Sequence, residues 1–342
     1  MSDLSFHAVT PSLDNYWRAI ILFGRNVASY KFALAQALTE LASHENELIR
    51  LDKLAEPFSR HLCAHLKNAD KQTTSRSSTF LDTCRKFNSG EITKDKLVEE
   101  TARIGFANVI DAFHIVNQGE VGVRFFEDER RANNGIRLTD NIFKLFEMPR
   151  HGSLLHETEA RWRLVETAWE LNISRNLIRI EHDNDAGLLF ANNLHRRTTV
   201  TSSRDALNGY QKGLCFYCFA PISIEAESSD LADVDHFFPH IMKVRGLFPN
   251  IDGVWNLVLT CTDCNRGANG KFARVPSLTL MERLSRRNEY LINSHHPLRQ
   301  TLIQQTGATP DHRNAFLQAA YRAAKVHLLH DWQPEPKGSP IF

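Results

Sequence analysis

The chain has almost no net charge: 41 Lys and Arg face 40 Asp and Glu across 342 residues, a formal +1. That balance excludes a globally basic protein that coats nucleic acid, so any surface for a polyanion must be local. There is no uninterrupted apolar run of the roughly 18 residues that a membrane-spanning helix needs. The first residues, MSDLSFHAVTPSLDNYW, lack the basic segment and apolar stretch of a secretory signal. A cytoplasmic protein with no membrane partner is expected. Internal repeats and low-complexity tracts are missing too, which excludes solenoid and fibrous architectures. Cysteine is scarce, six in all, and without an export signal disulfides are not expected.

What is present changes character along the chain. Ser12 stands as a helix N-cap before Trp17, Ile20, Ile21, Phe23, Val27, Phe32, Leu34, Leu38 and Leu41, which recur at helical spacing. Similar patterns predict helices over 51–68, 74–88, 94–116, 139–147 and 153–172. The 116–138 stretch, with Gly119, Gly122 and Asn133-Asn134-Gly135, reads as a loop region and hinge. Beyond residue 175, Leu177–Glu181 and Gly187–Phe190 read as short strands. Helices are expected at 202–212, 277–292 and 311–330, and the tail 333–340 is too proline-rich to be helical. The expected fold class is mainly α with a small α+β domain. A helical domain at 1–175 would serve regulation, DNA positioning or partner binding. A second domain would occupy 176–300, with a C-terminal helix and tail, 301–342, packing on it.

The cysteines carry the first chemical signal. Cys63 and Cys84 stand alone, whereas Cys215, Cys218, Cys261 and Cys264 form two CxxC pairs. Each pair sets two thiolates on one tight turn, and two such turns supply the four sulfurs of a closed tetrahedral zinc site. Residues 219–260 lie between the pairs, so something sizeable is inserted there.

The insert contains Val234-Asp235-His236-Phe237-Phe238-Pro239-His240. Phosphodiester hydrolysis needs a base to activate water and a cation to neutralise charge on phosphate and leaving oxygen. His236 is suited to be the base near neutral pH, and Asp235 suits a hard cation such as Mg²⁺. Val254-Trp255-Asn256-Leu257-Val258-Leu259 follows as an apolar strand-like run containing one amide. Cys261-Thr262-Asp263-Cys264-Asn265-Arg266 then leads to Lys271. Asn265, just after the last cysteine, offers a neutral oxygen ligand to a metal held by Asp235. His240, Arg266 and Lys271 are candidates for contact with nucleic-acid phosphate.

The order CxxC, DHxxP, NL, CxxCN and a downstream Lys resembles the zinc-containing subgroup of the HNH endonuclease family, over roughly residues 205–272. The resemblance implies a ββα-metal fold, a hairpin and a helix with structural zinc, flanked here by helices. It implies His236 as general base, Asp235 and Asn265 as ligands of a catalytic Mg²⁺ or Mn²⁺, Asn256 as the residue that fixes the loop and orients His236, and the four cysteines as zinc ligands. Asn265 stands where some relatives carry a final His. The implied activity is hydrolysis of DNA, double-stranded by expectation, with one strand nicked per site. RNA cleavage and a non-catalytic zinc module are the alternatives. The layout also resembles nuclease effectors of bacterial anti-phage defence, the HNH component of Zorya-type systems among them, which implies protein partners. His61 and His65 share a helix face but lack an evident third ligand, so they carry no metal assignment.

Overall fold

Helical periodicity becomes helix wherever the apolar stripe is complete. In α1, Leu13–Arg18, the buried Trp17 starts the core, and a π-helical turn over Ala19–Phe23 prolongs it. Gly24 ends this stretch in extended backbone, and α2 runs over Tyr30–Ala42, so the single helix expected from residue 12 onward is two. Ser12 does occupy the N-cap position, but its hydroxyl bonds Asp14 rather than a backbone N–H. The structure, a computed structural model, describes residues 12–24, 27–42, 47–75, 77–116, 119–148, 151–170, 180–183, 188–193, 196–244, 248, 250–328 and 330–342.

The chain divides into two units, one over Thr10–Asn172 and one that contains Ile173–Phe342. In the first, β1 (Leu48–Arg50) leads into α3 (Leu51–Leu66), whose Leu51, Leu54, Ala55, Phe58, Leu62 and Leu66 are all buried. Those positions recur every three or four residues and form one stripe. Next come α4 (Thr79–Asn88) and α5 (Lys94–Glu100). Ser78 and Thr93 cap them by accepting the N–H of Leu81 and of Lys96, each at 3.3 Å. The stretch expected to be a loop contains β2 (Phe126–Glu129) and β3 (Gly135–Leu138), and β3 pairs antiparallel with both β1 and β2. The reason is Gly135: a Cβ there would meet the Ile49 carbonyl oxygen at 2.4 Å, so the glycine permits close strand approach. Two further helices, α6 (Asp140–Glu147) and α7 (His151–Glu170), complete the unit.

Polar groups are buried on α7 as well. Arg18 forks onto Glu157 at 2.8 and 3.0 Å. His65 lies stacked on Trp162, ring centroids 3.5 Å apart, with Nδ1 2.7 Å from Glu166 and Nε2 3.1 Å from Glu159. His61 meets Glu40 at 2.6 Å. Against the pull of burial, the two glutamates raise His65 and make it a buried ion pair, whereas burial lowers His61 and leaves its contact with Glu40 a hydrogen bond.

In the second unit, β4 (Ile180–Asp183), β5 (Leu188–Asn193) and β6 (Arg196–Ser202) form an antiparallel sheet in that order. Residues 177–179 and Gly187, where the two strands were expected to begin, lie outside the described residues. Helix α8 (Ser203–Gln211) follows, then β7 (Asp233–His236), β8 (Leu257–Thr260) and the one-turn helix α9 (Thr262–Arg266). Three helices finish the chain: α10 (Leu278–Asn293), α11 (Arg299–Thr306) and α12 (Pro310–His327). Among the described residues no helix is long and apolar enough to cross a membrane. The fold is mainly helical with small sheets.

Candidate functional site

Strands β7 and β8 pair antiparallel, with His236 opposite Leu257, Asp235 opposite Val258 and Asp233 opposite Thr260. Alternation puts Asp233 and Asp235 on one face and His236 on the other. The edge of β8 is finished by a side chain. Gln211 donates to the Leu259 carbonyl at 2.7 Å and accepts the Leu259 N–H at 2.8 Å, as a neighbouring strand would. Phe216, inside the first CxxC, donates its N–H to the same carbonyl at 2.9 Å. The cysteine turn and the strand pair are thereby joined.

That turn is tight. Phe219 bonds back to the Cys215 carbonyl at 3.0 Å and has φ +62°, an uncommon conformation for a side chain of its size. Arg283 on α10 braces it by donating to the Phe216 and Tyr217 carbonyls and lying 4.1 Å over the Phe219 ring. On the other side Cys261 caps α9, and the Lys271 N–H bonds the Cys264 carbonyl at 2.7 Å.

The four sulfurs, of Cys215, Cys218, Cys261 and Cys264, all lie within 4.8 Å of one another, so these residues could hold a metal ion. The Cys218 and Cys261 sulfurs are 3.8 Å apart. A disulfide requires about 2.05 Å, whereas a tetrahedron with metal–sulfur bonds of about 2.3 Å has edges of about 3.8 Å. The Ala220 N–H points at the Cys218 sulfur from 3.4 Å, a donor suited to a thiolate. The donor set and its spacing fit a tetrahedral, thiophilic ion.

His236 is mostly buried, and its Nε2 lies 3.1 Å from Asp252 Oδ1. His240 Nε2 is 3.5 Å from the same oxygen, and Lys243 holds the other oxygen of Asp252. Burial pushes the His236 imidazolium down to about 4; Asp252 pulls it upward and His182, His240 and Lys271 push it further down. The ring is therefore neutral at ordinary pH. With a carboxylate at Nε2, the proton sits there and Nδ1 keeps its lone pair. Asn256 ties the turn after His236 to the following loop. It is fully buried, accepts the Phe238 N–H at 2.8 Å and donates to the Phe238 and Ile251 carbonyls at 3.0 and 2.9 Å. Arg287 and Asn288 of α10 hold that loop from behind, each donating to the Trp255 carbonyl, at 3.0 and 3.1 Å.

Asp235 is 8% exposed and accepts the Tyr217 hydroxyl at 2.6 Å, with Lys271 Nζ 3.3 Å from its other oxygen. Lys271 is 1% exposed and also donates to the His236 carbonyl at 2.9 Å. The sequence pointed Lys271 at phosphate; here its ammonium is committed to Asp235 and to the backbone of the His236 strand. Burial raises the Asp235 carboxyl and lowers the Lys271 ammonium, and each opposes the shift in the other. Asn265 is hydrogen bonded at 3.0 Å to Asp233, two positions before Asp235 on the same face. Arg266 reaches the same carboxylate at 3.2 Å while 65% of its side chain stays exposed, and His240 is exposed as well.

Three residues of this cluster were not singled out from sequence: Asp233, Tyr217 and Asp252. Asp233 had a signal, its i,i+2 relation to Asp235 on a strand. Asp252 had none, since only the folded loop brings it to His236. No protein family, no curated protein and no solved structure matches the chain.

Proposed function

We propose that the second unit is a divalent-metal-dependent endonuclease of the HNH type that hydrolyses DNA phosphodiester bonds, one strand per site. The observation that supports this reading is geometric: His236 Nε2 lies 3.1 Å from Asp252, on a strand that also carries Asp233 and Asp235, with Asn256 bonded to the turn that follows His236 and Asn265 bonded to Asp233. In this reading His236 Nδ1 takes the proton of the attacking water. Asp252 fixes the tautomer, and Asn256 fixes the turn that carries the ring.

Asp235 and Asn265, with Asp233 beside them, are the oxygen donors that would hold Mg²⁺ or Mn²⁺, and their hard-ligand chemistry fits such an ion. When bound, the ion supplies neutralisation of the charge that develops on phosphate and leaving oxygen. Lys271 compensates the Asp235 charge from within. The cysteine cluster would take zinc as a structural ion that clasps the module. Exposed His240 and Arg266 would contact phosphate. The helical unit would regulate the nuclease or recruit a partner, and a role in anti-phage defence rests on that layout alone.

A second reading, a zinc module that binds nucleic acid without cutting it, draws on one observation: Asp235 already has Tyr217 and Lys271 as partners. Supercoiled plasmid separates the two. Wild-type protein with Mg²⁺ or Mn²⁺ should produce nicked circles that disappear with EDTA. His236→Ala should fold, keep its zinc and lose about 10²–10⁴-fold in rate, the share a positioned base contributes. Undiminished cleavage by that variant would remove His236 from the chemistry. A tight DNA complex with no cleavage in either metal would favour the binding module.

A further inference from the structure

A cavity of about 730 Å³ opens beside His236 and is not used by the chemistry above. Its described lining includes His182 and Asp252, and the His182 ring centroid is 6.2 Å from that of His236. The cavity and the proposed base therefore share walls. The rest of the described lining is Asn250, Thr301, Gln304 and Gln305, which offer amides and a hydroxyl, together with Ile251, Gly253 and a single lysine, Lys243. A track for phosphates would be basic. Side-chain amides and a hydroxyl are instead the groups that read the edges of nucleobases. The volume lies within the range of about 300–1,000 Å³ in which small-molecule sites fall.

We infer that this cavity receives the base of a nucleotide next to the scissile phosphate, and that Gln304 and Gln305 on α11 read it. The inference rests on the nuclease reading and adds a specificity pocket to it. Gln305 is available for the task. Its two hydrogen bonds, to the Trp255 N–H and the Ile180 carbonyl, are both 3.4 Å long and so weak enough to exchange for a base. Gln304 is exposed at the cavity wall. A base enters such a concave site only when unpaired, so local opening of a duplex is part of recognition.

The test maps cut junctions made by the full chain on a sequenced plasmid, for wild type, Gln304→Ala and Gln305→Ala. The expected result is a base bias at one position flanking the wild-type break. That bias should weaken by about fivefold or more in at least one variant, the low end of what a good side-chain–base pair discriminates. An oligonucleotide duplex mismatched at that position should be cut faster than its paired counterpart. Random wild-type junctions, a bias unchanged in both variants, or equal rates on matched and mismatched duplexes would overturn the pocket. Cleavage that still depends on metal and His236 would then leave the nuclease reading intact. No cleavage by the wild type in Mg²⁺ or Mn²⁺ would sink both.

Discussion

Asn256 is where a small change should cost most. Its amide accepts one backbone N–H and donates to two carbonyls, at 2.8–3.0 Å, in a place with no solvent access. Asn256→Ala removes all three bonds. Water cannot readily replace them, because Phe238 and Ile251 are also fully buried. The orphaned Phe238 N–H costs about 1–3 kcal/mol, and each of the two lost donor bonds about 1 kcal/mol. The sum, about 3–5 kcal/mol, reaches the large end of single-substitution effects. At about 2–4 °C per kcal/mol for a domain of this size, the unfolding midpoint should fall by about 6–20 °C. Thermal and urea denaturation of the full chain, followed through the fluorescence of the adjacent Trp255, reads this directly. Asn256→Asp sharpens the test: it is nearly isosteric and keeps the acceptor, but it aims an oxygen at two carbonyls. It should be at least as destabilising as alanine. An aspartate variant within 1 kcal/mol of wild type would refute the assignment of Asn256 as the knot of this loop.

Other outcomes follow from the same geometry. Metal analysis should find one zinc per chain, and Cys261→Ser should lose both the zinc and thermal stability; a zinc-free protein with unchanged midpoint would contradict the clasp. Lys271→Met leaves the Asp235 carboxylate buried beside Tyr217 alone, which should cost about 3–5 kcal/mol. That loss should shrink as pH falls and Asp235 takes up a proton, and a loss independent of pH would count against it. In the helical unit, burial lowers His65, but its bonds to Glu159 and Glu166 outweigh that and raise it overall. Its contribution should be complete below the ordinary histidine value of about 6.5 and decline as pH rises through the higher folded value. Burial raises Glu159, yet His65 and Arg163 bring it down to about 2. Its share should therefore be present above the ordinary carboxylate range and fade as pH falls through 2. Replacing His65 with Phe should abolish the stability slope on the alkaline side, and a slope that survives belongs to another group.

The helices legible in the sequence are those with a strong apolar stripe, such as α3, and α10, whose stripe is interrupted only by Arg287 and Asn288. Thr309 accepts the His312 N–H at 3.3 Å, with Pro310 opening α12, a start signal local enough to read. Helix α11 leaves no period in the sequence because its buried face is Thr301, Leu302 and Thr306, too polar to give one. Strands β2 and β3 carry a loop-like pattern because Phe126-Glu127-Asp128-Glu129 has one apolar residue and Gly135 mimics a turn signal. In the site, the paired cysteines were visible because metal ligation imposes a spacing on the chain itself. Asp252 was invisible because its meeting with His236 depends on the fold of a loop. Lys271 is legible as a charge, but its burial against Asp235 comes only from the fold.

The cysteine cluster and the strand pair close the same stretch of chain. One brings Cys218 to Cys261, and the other brings Asp233–His236 to Leu257–Thr260. Whichever forms first spares the other a search through a long loop and turns it into an encounter at high effective concentration. Each closure must then tighten the other by the same factor. A chelator would loosen the strand that carries His236 without touching it, and a ligand gripping His236 would slow the escape of metal from sulfurs it never meets.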